Sequence, residues 1–459
     1  MVDKEKILAQ IQEQRENQIS SPLKDPKYRV QLLKKLRCNI QQMEGEILQA
    51  LQQDLGKSRV EGYMCEVGMV LSELNYMIKH LRKFAKPKKV SSPIAQFPAK
   101  SYQVPTPYGV VLIISPWNYP FMLTLDPIID AISAGNSIVV KPSETSKNTS
   151  AVIAKLLEKT FSPKEVCVCL GGREDCEFLL EQPFDHIFFT GSSRVGKIVL
   201  ESASKHFTPV TLELGGKSPC IVDQTANIPL SAKRIVFGKF LNAGQTCVAP
   251  DFIYCHESVK NKLVEELKKQ IVLQYSEKPL ENENYPKLIN EKQFNFACSL
   301  VEGEKVLLGG NVDNSSFKIE PTLVDATFES KTMQNEIFAP ILPIVTFDDI
   351  DNAILNLRKM EKPLAFYVFS NKKENQHKFL SSCDFGGGCI NDVVIHLAST
   401  KLPFGGVGHS GMGAYHGKKG FETFSHTRSI VDKKTWLDLP IRYQPHTKKK
   451  EKLIRKFMR

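Results

Sequence analysis

The sequence predicts an α/β protein with a doubly wound parallel sheet, a second α/β domain and a small β arm. Short apolar runs such as Val110–Ile114 and His186–Thr190 alternate with helical patterns, which is typical of parallel strands covered on both faces. A second series of such runs begins near Val210. Five prolines between residues 87 and 107 indicate an edge hairpin or a protruding arm, the alternative being a surface loop.

Length and composition narrow the class of protein. A chain of 459 residues is too long for one compact core and fits two or three domains. The residues are 42% hydrophobic and 24% charged, which is ordinary for a globular protein. The net charge of +11 is dispersed rather than interleaved with aromatic residues, so it suits small anionic ligands and does not indicate nucleic-acid binding.

The chain shows no targeting, membrane-spanning or metal signal. The N-terminus is charged and lacks an apolar core, so we expect no signal peptide. No run reaches the roughly 18–20 apolar residues of a spanning helix. The eleven cysteines are scattered without a C-x-x-C or H-E-x-x-H motif, so neither zinc nor a disulfide framework is expected. Reduced thiols of this kind favour a cytoplasmic location.

The first 85 residues are predicted to be helical. Apolar residues recur every three or four positions from Val30 to Leu51, and Gly56 is a plausible stop for that helix. A second helix carries apolar residues from Val67 to Leu81. It is expected to end before Pro87, because proline cannot continue a helix.

The strands that follow are predicted to form a parallel sheet with a functional edge. After Val110–Ile114, the strand pattern returns at residues 137–142, 166–170 and 186–190. Ligands of such sheets bind beyond the carboxyl ends of the strands. The turns after Ile114, Val140 and Thr190 are therefore the places where a site is expected. In the second half, strands are predicted at residues 252–255, 341–345, 365–369 and 388–391.

Cys247 is the candidate nucleophile. It follows a run of small and polar residues behind an apolar, helix-like segment, so a ligand could reach it. Thiolates attack carbonyl carbon and form thioesters that react with water. An inert, partly buried thiol is the alternative for any single cysteine.

Two further residues could support such chemistry. Asn118 lies between Pro116 and Pro120, so a rigidly held amide could donate to a developing oxyanion; the alternative is an asparagine selected by the turn. Glu213 interrupts an apolar strand, and burial would raise its pKa toward that of a general base. The alternative for Glu213 is a structural ion pair with Lys217.

A glycine-containing turn could bind a dinucleotide. Gly191, Ser192 and Gly196 follow a strand and open a helix, whose N-terminus attracts anionic oxygens, although the third glycine of G-x-G-x-x-G is absent. Such a turn also occurs without any ligand. Lys141 and Glu144 end a strand at the same predicted edge and could bind ribose hydroxyls, or they are an exposed lysine and a first-turn glutamate.

These motifs, in this order, resemble the NAD(P)-dependent aldehyde dehydrogenase superfamily from about residue 25 to about residue 445. Residues 244–251 and 439–443 are most similar to the class 3 branch, which includes fatty and aromatic aldehyde dehydrogenases. The resemblance implies that Cys247 is the nucleophile, Glu213 the general base and Asn118 an oxyanion donor, together with the Cys247 backbone N–H.

The resemblance also implies the ligand contacts. The cofactor would be NAD or NADP, with Lys141 and Glu144 at the adenosine ribose, Gly191, Ser192 and Gly196 beside the pyrophosphate, and Glu336 and Phe338 at the nicotinamide and its ribose. Phe404 matches the aromatic residue at the mouth of the site, and Tyr119 and Tyr63 are candidates for the substrate tunnel.

The implied reaction oxidises medium- or long-chain aliphatic or aromatic aldehydes to acids through a cysteine thiohemiacetal and a thioester. Glu213 favours hydrolysis by water. The alternatives are a coenzyme A-acylating dehydrogenase and a catalytically silent structural relative. Residues 1–86 and 106–209 would form the NAD(P)-binding domain, residues 210–395 the catalytic domain, and residues 87–105 with 425–447 an oligomerisation arm for a homodimer.

Residues 448–459 form a basic tail with seven lysines and arginines. Leu453, Ile454, Phe457 and Met458 would share one face if this tail were helical. A weak, reversible contact with anionic membrane is one interpretation. The favoured interpretation is a solvated tail, because polybasic chain ends are commonly disordered.

Overall fold

The structure is a computed structural model that describes residues 3–458, apart from the side chain of Phe457. Within this range the chain forms two large, mainly parallel sheets and a three-stranded antiparallel sheet. The α-helices are Lys4–Asn17, Pro26–Leu55, Arg59–Gly62, Gly68–Phe84, Met122–Ala134, Lys147–Thr160, Arg173–Leu180, Ser193–Ser204, Ile228–Phe240, Lys260–Tyr275, Glu291–Val301, Lys331–Gln334, Ile350–Lys359, Lys373–Ser382, Gly417–Thr423 and Lys448–Phe457.

The long N-terminal helix has the predicted start and stop signals. Asp25 caps Pro26–Leu55 by accepting a hydrogen bond from the backbone N–H of Lys27. Gly56 ends the helix in the left-handed conformation, with φ 70°, which glycine adopts without steric cost. The apolar face of this helix is buried against the helices Gly68–Phe84 and Lys147–Thr160.

The first sheet has six strands and carries the predicted functional edge. Its order is Gly411–Met412, Val210–Glu213, His186–Thr190, Val110–Ile114, Ser137–Lys141 and Val166–Val168. All neighbours are parallel except Gly411–Met412, which runs antiparallel to Val210–Glu213. Ile114 lies opposite Lys141 and Phe189, so the carboxyl ends of these strands meet at one edge.

Both faces of the first sheet are covered, as the sequence predicts. Val111 and Ile113 point into the core that the helix Met122–Ala134 completes. Val110, Leu112 and Ile114, on the opposite face, pack in a second core with residues of the helices Lys4–Asn17 and Ser193–Ser204. Because successive side chains point to opposite faces, both faces of the strand Val110–Ile114 are buried.

The strand Val210–Glu213 belongs to the first sheet, and the strands of the second sheet follow it in the chain. The sequence suggests that the second series of strands begins near Val210. Val210–Glu213 pairs in parallel with His186–Thr190, with Glu213 opposite Thr190, so it belongs to the first sheet. Strand pairing is a long-range property, and an apolar run near a boundary fits either sheet equally well.

The second sheet has seven strands. Its order is Lys305–Leu308, Thr322–Asp325, Ile341–Phe347, Phe252–His256, Pro219–Val222, Ala365–Phe369 and Gly387–Ile390. Only the first pair is antiparallel. Cys247 lies in the loop between the helix Ile228–Phe240 and the strand Phe252–His256. A separate short hairpin pairs Val312–Asp313 with Lys318–Ile319.

The proline-rich segment forms the predicted arm. Lys88–Val90 and Ala99–Pro107 pair as antiparallel strands, and Ser425–Lys433 pairs along the whole length of the second of them. This arm sheet joins residues more than three hundred positions apart. Its outer strand, Ser425–Lys433, is a sheet edge.

Most of the basic tail forms the helix Lys448–Phe457. The Thr447 hydroxyl group caps this helix by accepting a hydrogen bond from the Lys450 backbone N–H. Leu453 and Met458 are exposed, and the predicted contribution of the Phe457 side chain lies outside the described part of the chain. Within residues 3–458, none of the helices combines the length and the apolar character that crossing a membrane requires.

Candidate active site

The turn after Ile114 lies directly on the loop that carries Cys247. The Asn118 side-chain amide donates to the Gln245 carbonyl oxygen over 3.1 Å. The next residue, Tyr119, shares a hydrogen bond of 2.6 Å between its hydroxyl and that of Thr246. Because Nδ2 carries two hydrogens, one remains for a ligand oxygen. The fold therefore brings Asn118 onto the loop that carries Cys247, and its role as an oxyanion donor stays a prediction.

The loop that carries Cys247 contains three consecutive residues in the left-handed backbone conformation, which residues other than glycine rarely adopt. Asn242 and Ala243 both have left-handed backbones, with φ 51° and 52°. Gly244 has φ 75°, and a Cβ there would lie 2.3 Å from the Ala339 carbonyl oxygen. Only glycine fits such a position. Strained backbones of this kind persist where the surrounding structure holds them, which is common at functional sites.

Cys247 is a protonated thiol in its resting environment. Burial, and then the nearby charges of Glu336 and Glu213, raise the pKa of Cys247 to about 12, although the backbone N–H groups of Cys247 and Val248 lower it. Little thiolate is present at neutral pH with this pKa. Formation of a Cys247 thiolate therefore requires a base or a bound positive charge.

Glu213 is a carboxyl group without compensation. It is 2% exposed, and neither carboxylate oxygen has a hydrogen-bond partner among residues 3–458. Burial raises the pKa of Glu213 well above its usual value. The alternative of an ion pair with Lys217 is wrong, because Lys217 Nζ contacts Asp251 Oδ2 at 2.6 Å instead. The Glu213 carboxyl is thus not engaged by Lys217, and it lies near enough to Cys247 to raise the pKa of that thiol.

The Lys217–Asp251 pair serves a different segment. Lys217 Nζ also donates to the Thr332 and Asn335 carbonyls, and Asp251 Oδ1 accepts from the Ile337 backbone N–H over 3.0 Å. This buried pair fixes the segment on which Glu336 and Phe338 lie.

Glu336 and Phe338 are half-buried beside the site. A Cβ on Gly215 would lie 2.2 Å from Glu336 Oε2, so the carboxylate rests on bare backbone. Burial and Asp251 raise the pKa of Glu336 to about 8, against the opposing effect of the Gly216 N–H. Phe338 has φ 51° and packs edge-on against Trp117, with 5.4 Å between ring centroids.

The turn at residues 191–196 fits an anionic ligand. The Ser192 side chain caps the helix Ser193–Ser204, and the Gly191 N–H donates to the Glu213 carbonyl oxygen over 3.0 Å. A Cβ on Gly196 would lie 2.8 Å from a Leu214 methyl group, so glycine permits close packing of helix and strand. Helix N-termini bind phosphate oxygens through their free N–H groups.

Lys141 and Glu144 lie at the same edge and bond to each other. Lys141 Nζ is buried and contacts Glu144 Oε2 at 2.9 Å, whereas the glutamate is about half exposed. Burial raises the pKa of Glu144, but the hydrogen bonds from the Lys141 side chain and the Glu144 backbone N–H, together with the Lys141 charge, outweigh burial and leave that pKa below its usual value. An ionised carboxylate and an ammonium group together match the hydroxyls of a ribose. The residues present therefore fit a dinucleotide.

The predicted substrate residues divide into two groups. Tyr119 is buried against the cysteine loop, and Phe404 is buried and stacks on His416 with 5.6 Å between ring centroids. Tyr63 is 43% exposed and packs beside Gly68, next to an open cavity of about 540 Å³ that Arg37 also lines. Its place in a substrate tunnel stays a prediction.

Some residues around the site were not anticipated. Lys57, Glu61 and Glu66 contact the Asn118 turn or the cysteine loop from behind. Burial, and then the charges of Asp126, Glu213 and Cys247, raise the pKa of Tyr415, which therefore lies near the site. A charged residue inside the apolar helical pattern around Val67 was the available signal for Glu66, and nothing in the sequence marks Lys57 or Tyr415.

Comparison with known proteins identifies the family. Residues 1–430 match the aldehyde dehydrogenase family. The chain is 46% identical to the 4,4'-diaponeurosporen-aldehyde dehydrogenase of Staphylococcus aureus over 95% of each chain. It is 43% identical to the dimeric NADP-preferring aldehyde dehydrogenase of Canis lupus familiaris, over 91% of this chain and 93% of that protein.

A solved structure agrees over the whole fold. Staphylococcus aureus AldH in its substrate-bound state superposes with a TM-score of 0.97 at 44% sequence identity, covering 99% of both chains. Membership of this family points to use of NAD(P), which the fit of the dinucleotide turn supports. The chain therefore belongs to the aldehyde dehydrogenase family, within its class 3-like branch, and is an enzyme that oxidises aldehydes.

Proposed function

We propose that Cys247, Glu213 and Asn118 oxidise medium- or long-chain aliphatic or aromatic aldehydes through a thioester that water hydrolyses. The observation that carries this proposal is the buried Glu213 carboxyl, which has no hydrogen-bond partner in the described chain and lies near the Cys247 thiol. An uncompensated buried carboxyl is costly, so a proton-transfer role is a reason for its presence.

The first step forms a covalent adduct. The Cys247 thiol loses its proton to Glu213, and from there to solvent, and the sulfur attacks the aldehyde carbon. The carbonyl π-electrons move to oxygen, giving a tetrahedral oxyanion. The free N–H of the Asn118 amide and the Cys247 backbone N–H donate to that oxygen, where preorganised donors act most strongly in a site that excludes water.

The second step converts the adduct to a thioester on Cys247 Sγ. When bound, oxidised NAD(P) supplies a positive charge near the thiol and accepts the hydride. Lys141 and Glu144 would hold its adenosine ribose, residues 191–196 its pyrophosphate, and Glu336 and Phe338 its nicotinamide end. The Asn118 amide releases the oxygen as the carbonyl re-forms.

The third step releases the acid. Glu213 takes a proton from a water molecule, whose oxygen attacks the thioester carbon, and the carbon–sulfur bond breaks to regenerate the Cys247 thiolate. Glu213 is suited to this because burial raises the pKa of its carboxyl above the usual value, and a carboxylate with a raised pKa is a stronger base. Direct use of water makes coenzyme A unnecessary.

The apolar surroundings favour aldehydes with an apolar chain. Tyr119, Phe404 and Tyr415 are buried aromatic residues around the site. We expect kcat/KM to rise with chain length by up to about fourfold per CH2 group, because each buried CH2 contributes about 0.8 kcal/mol. A panel of straight-chain and aromatic aldehydes, each with NAD and with NADP, measures this. Aldehydes of equal length with a terminal carboxylate are the matched controls.

The same panel tests the cofactor. The ionised Glu144 would repel a 2′-phosphate, so we propose that NAD gives the lower KM, with NADP accepted because Lys141 offsets the charge. A maximum of kcat/KM at the shortest aldehydes, or equal rates for the carboxylate controls, would contradict the substrate class. A lower KM for NADP would contradict the cofactor preference.

We also propose a cytoplasmic homodimer joined through the arm sheet. All eleven cysteines are free, which suits a reducing compartment. Ile430 and Val431 are 43% and 49% exposed on the outer strand Ser425–Lys433, an edge that a second copy would cover. Light scattering should give twice the 51.7 kDa of one chain. Changing both residues to Asp should shift the mass to that of a monomer, and an unchanged dimer would exclude this interface.

A further inference from the structure

A π-turn lies in the helix behind the proposed active site. Arg59–Gly62 continues through the π-helical turn Tyr63–Val67 into Gly68–Phe84. In an α-helix, residues five apart point about 140° away from each other, at 3.6 residues per turn. A π-turn contains an additional residue, which brings such positions closer to one face. Glu61 and Glu66 are five apart, and both carboxylates reach the loops of the site.

The Lys57–Glu66 pair supports the Asn118 turn. Lys57 Nζ contacts Glu66 Oε1 at 2.6 Å, and both side chains are fully buried. Lys57 Nζ also donates to the Asn118 carbonyl oxygen over 2.9 Å. Glu66 Oε2 accepts from the backbone N–H groups of Phe121 and Met122, at 2.9 and 3.0 Å. The pair thus holds the turn at both ends of residues 118–122.

Glu61 supports the cysteine loop. Its Oε1 accepts from the Asn242 backbone N–H over 2.8 Å, where that backbone is left-handed. The Asn242 side-chain amide then donates to the carbonyl oxygens of Asn118 and Gln245, at 2.8 and 3.1 Å. The Asn118 carbonyl is therefore the common acceptor of Lys57 and Asn242, and it links the two supports.

We propose that Lys57, Glu61 and Glu66 are positioning residues that fix the Asn118 amide and the Cys247 backbone N–H at the separation the oxyanion requires. The inference rests on the proposed role of Asn118. Oxyanion donors must be held within about 0.5 Å of their working position. A fully satisfied buried ion pair provides such rigidity, since every polar atom has only one arrangement that keeps its bonds.

The test is a double-mutant cycle with Asn118. The variant Lys57→Met/Glu66→Gln removes both charges together, so no unpaired buried charge remains. In the wild-type background we expect the single-turnover rate of NAD(P)H formation to fall by about 10- to 100-fold, with the KM for NAD(P) unchanged. In an Asn118→Ala background the same two changes should cost less than about twofold, because no side-chain amide is left to position.

Glu73→Gln is the matched control. Glu73 is also a buried carboxyl on Gly68–Phe84, but it accepts from the Gly417 backbone N–H over 2.8 Å, away from the cysteine loop. This variant should lower thermal stability and leave the single-turnover rate close to wild type in both backgrounds. An effect of equal size would mean that any loss of stability at this helix slows the reaction.

Each outcome decides between the proposals. Equal losses for the Lys57/Glu66 variant in both backgrounds would overturn the positioning role. A fast Asn118→Ala single variant would instead overturn the role of Asn118 itself. If the double variant does not fold, Glu61→Ala tests the same link, since the Glu61 residue is half-buried and its carboxylate accepts a hydrogen bond from the Asn242 backbone N–H. Glu61→Ala should slow NAD(P)H formation about tenfold in the wild-type background. The loss should be smaller in the Asn118→Ala background, because only the Cys247 backbone N–H is then left to position, and equal losses would reject the link.

Discussion

Replacing Cys247 by Ala is expected to lower kcat for NAD(P)-linked aldehyde oxidation by at least about 10⁴-fold, since removing the nucleophile removes the covalent route altogether. The thiol lies on a loop with strained backbone at Asn242 and Ala243, beside the Glu213 carboxyl and against the Asn118 turn. The measurement is NAD(P)H absorbance at saturating aldehyde and cofactor.

The control for this variant is Cys38→Ala. Cys38 is an exposed thiol on the helix Pro26–Leu55, so its removal should leave kcat within about twofold of wild type. Cofactor binding by the Cys247→Ala protein, followed by fluorescence titration, should remain, because the dinucleotide contacts come from other residues. Retained turnover in Cys247→Ala would disprove the proposed mechanism.

Replacing Glu213 by Gln is expected to separate formation of the thioester from its hydrolysis. Stopped-flow mixing should show a burst of NAD(P)H approaching one equivalent per site, followed by a steady state about 10²- to 10⁴-fold slower than wild type, the usual contribution of a general base. The burst itself should be slower but present, because the thiol proton can leave directly to solvent. Mass spectrometry of the quenched protein should detect the acyl group on Cys247.

The steady-state rate of the Glu213→Gln variant is expected to rise with pH. With the general base removed, hydroxide must attack the thioester, so the slow steady state should rise by about tenfold per pH unit. The wild type should depend less on pH once Glu213 is ionised, because the carboxylate then accepts the proton of water. Added coenzyme A should not restore the variant to the wild-type rate. Such a restoration, or loss of the burst together with the steady state, would reject hydrolysis through Glu213.

Glu165→Gln is the matched control for Glu213. Glu165 is also a buried carboxyl next to the first sheet, but it precedes Val166–Val168 and so lies at the amino edge, where it accepts from the Tyr28 hydroxyl over 2.6 Å. Its replacement should lower stability while leaving the ratio of burst to steady-state rate unchanged. A difference between the two variants would show that the effect of Glu213→Gln comes from its place at the carboxyl edge of the sheet. It would not come from the loss of stability that any change of a buried carboxyl causes.

Local patterns in the sequence were sufficient for the secondary structure and for the motif residues. Val110–Ile114 is apolar at every position, and such a run is stable only where both faces are covered, so the parallel sheet followed. Gly56 and the proline-rich segment determined where helices stop and where the arm begins, because both act through backbone geometry alone. Asn118 and Glu213 could be found because each interrupts a pattern that otherwise explains its neighbours.

Pairings between distant residues were decided only by the tertiary structure. Lys217 follows Glu213 closely and was a reasonable partner for it. The fold instead places Lys217 against Asp251 and leaves the Glu213 carboxyl without a hydrogen-bond partner among residues 3–458. Likewise, Val210–Glu213 joins the first sheet through its register with His186–Thr190. Neither outcome is visible locally, because a charge or a strand has many partners in the chain that satisfy it equally.

Residue types and their spacing were enough to indicate which residues could do chemistry here: one cysteine in a small-residue turn, an amide, a carboxyl and a dinucleotide turn. The tertiary structure decided how they are held. It brought the Asn118 carbonyl into contact with both Lys57 and Asn242, and it placed the Glu213 carboxyl where burial raises its pKa. The physical reason is that motifs depend on residue type and spacing, whereas hydrogen-bond partners, burial and shifted pKa values depend on which distant segments the fold makes neighbours.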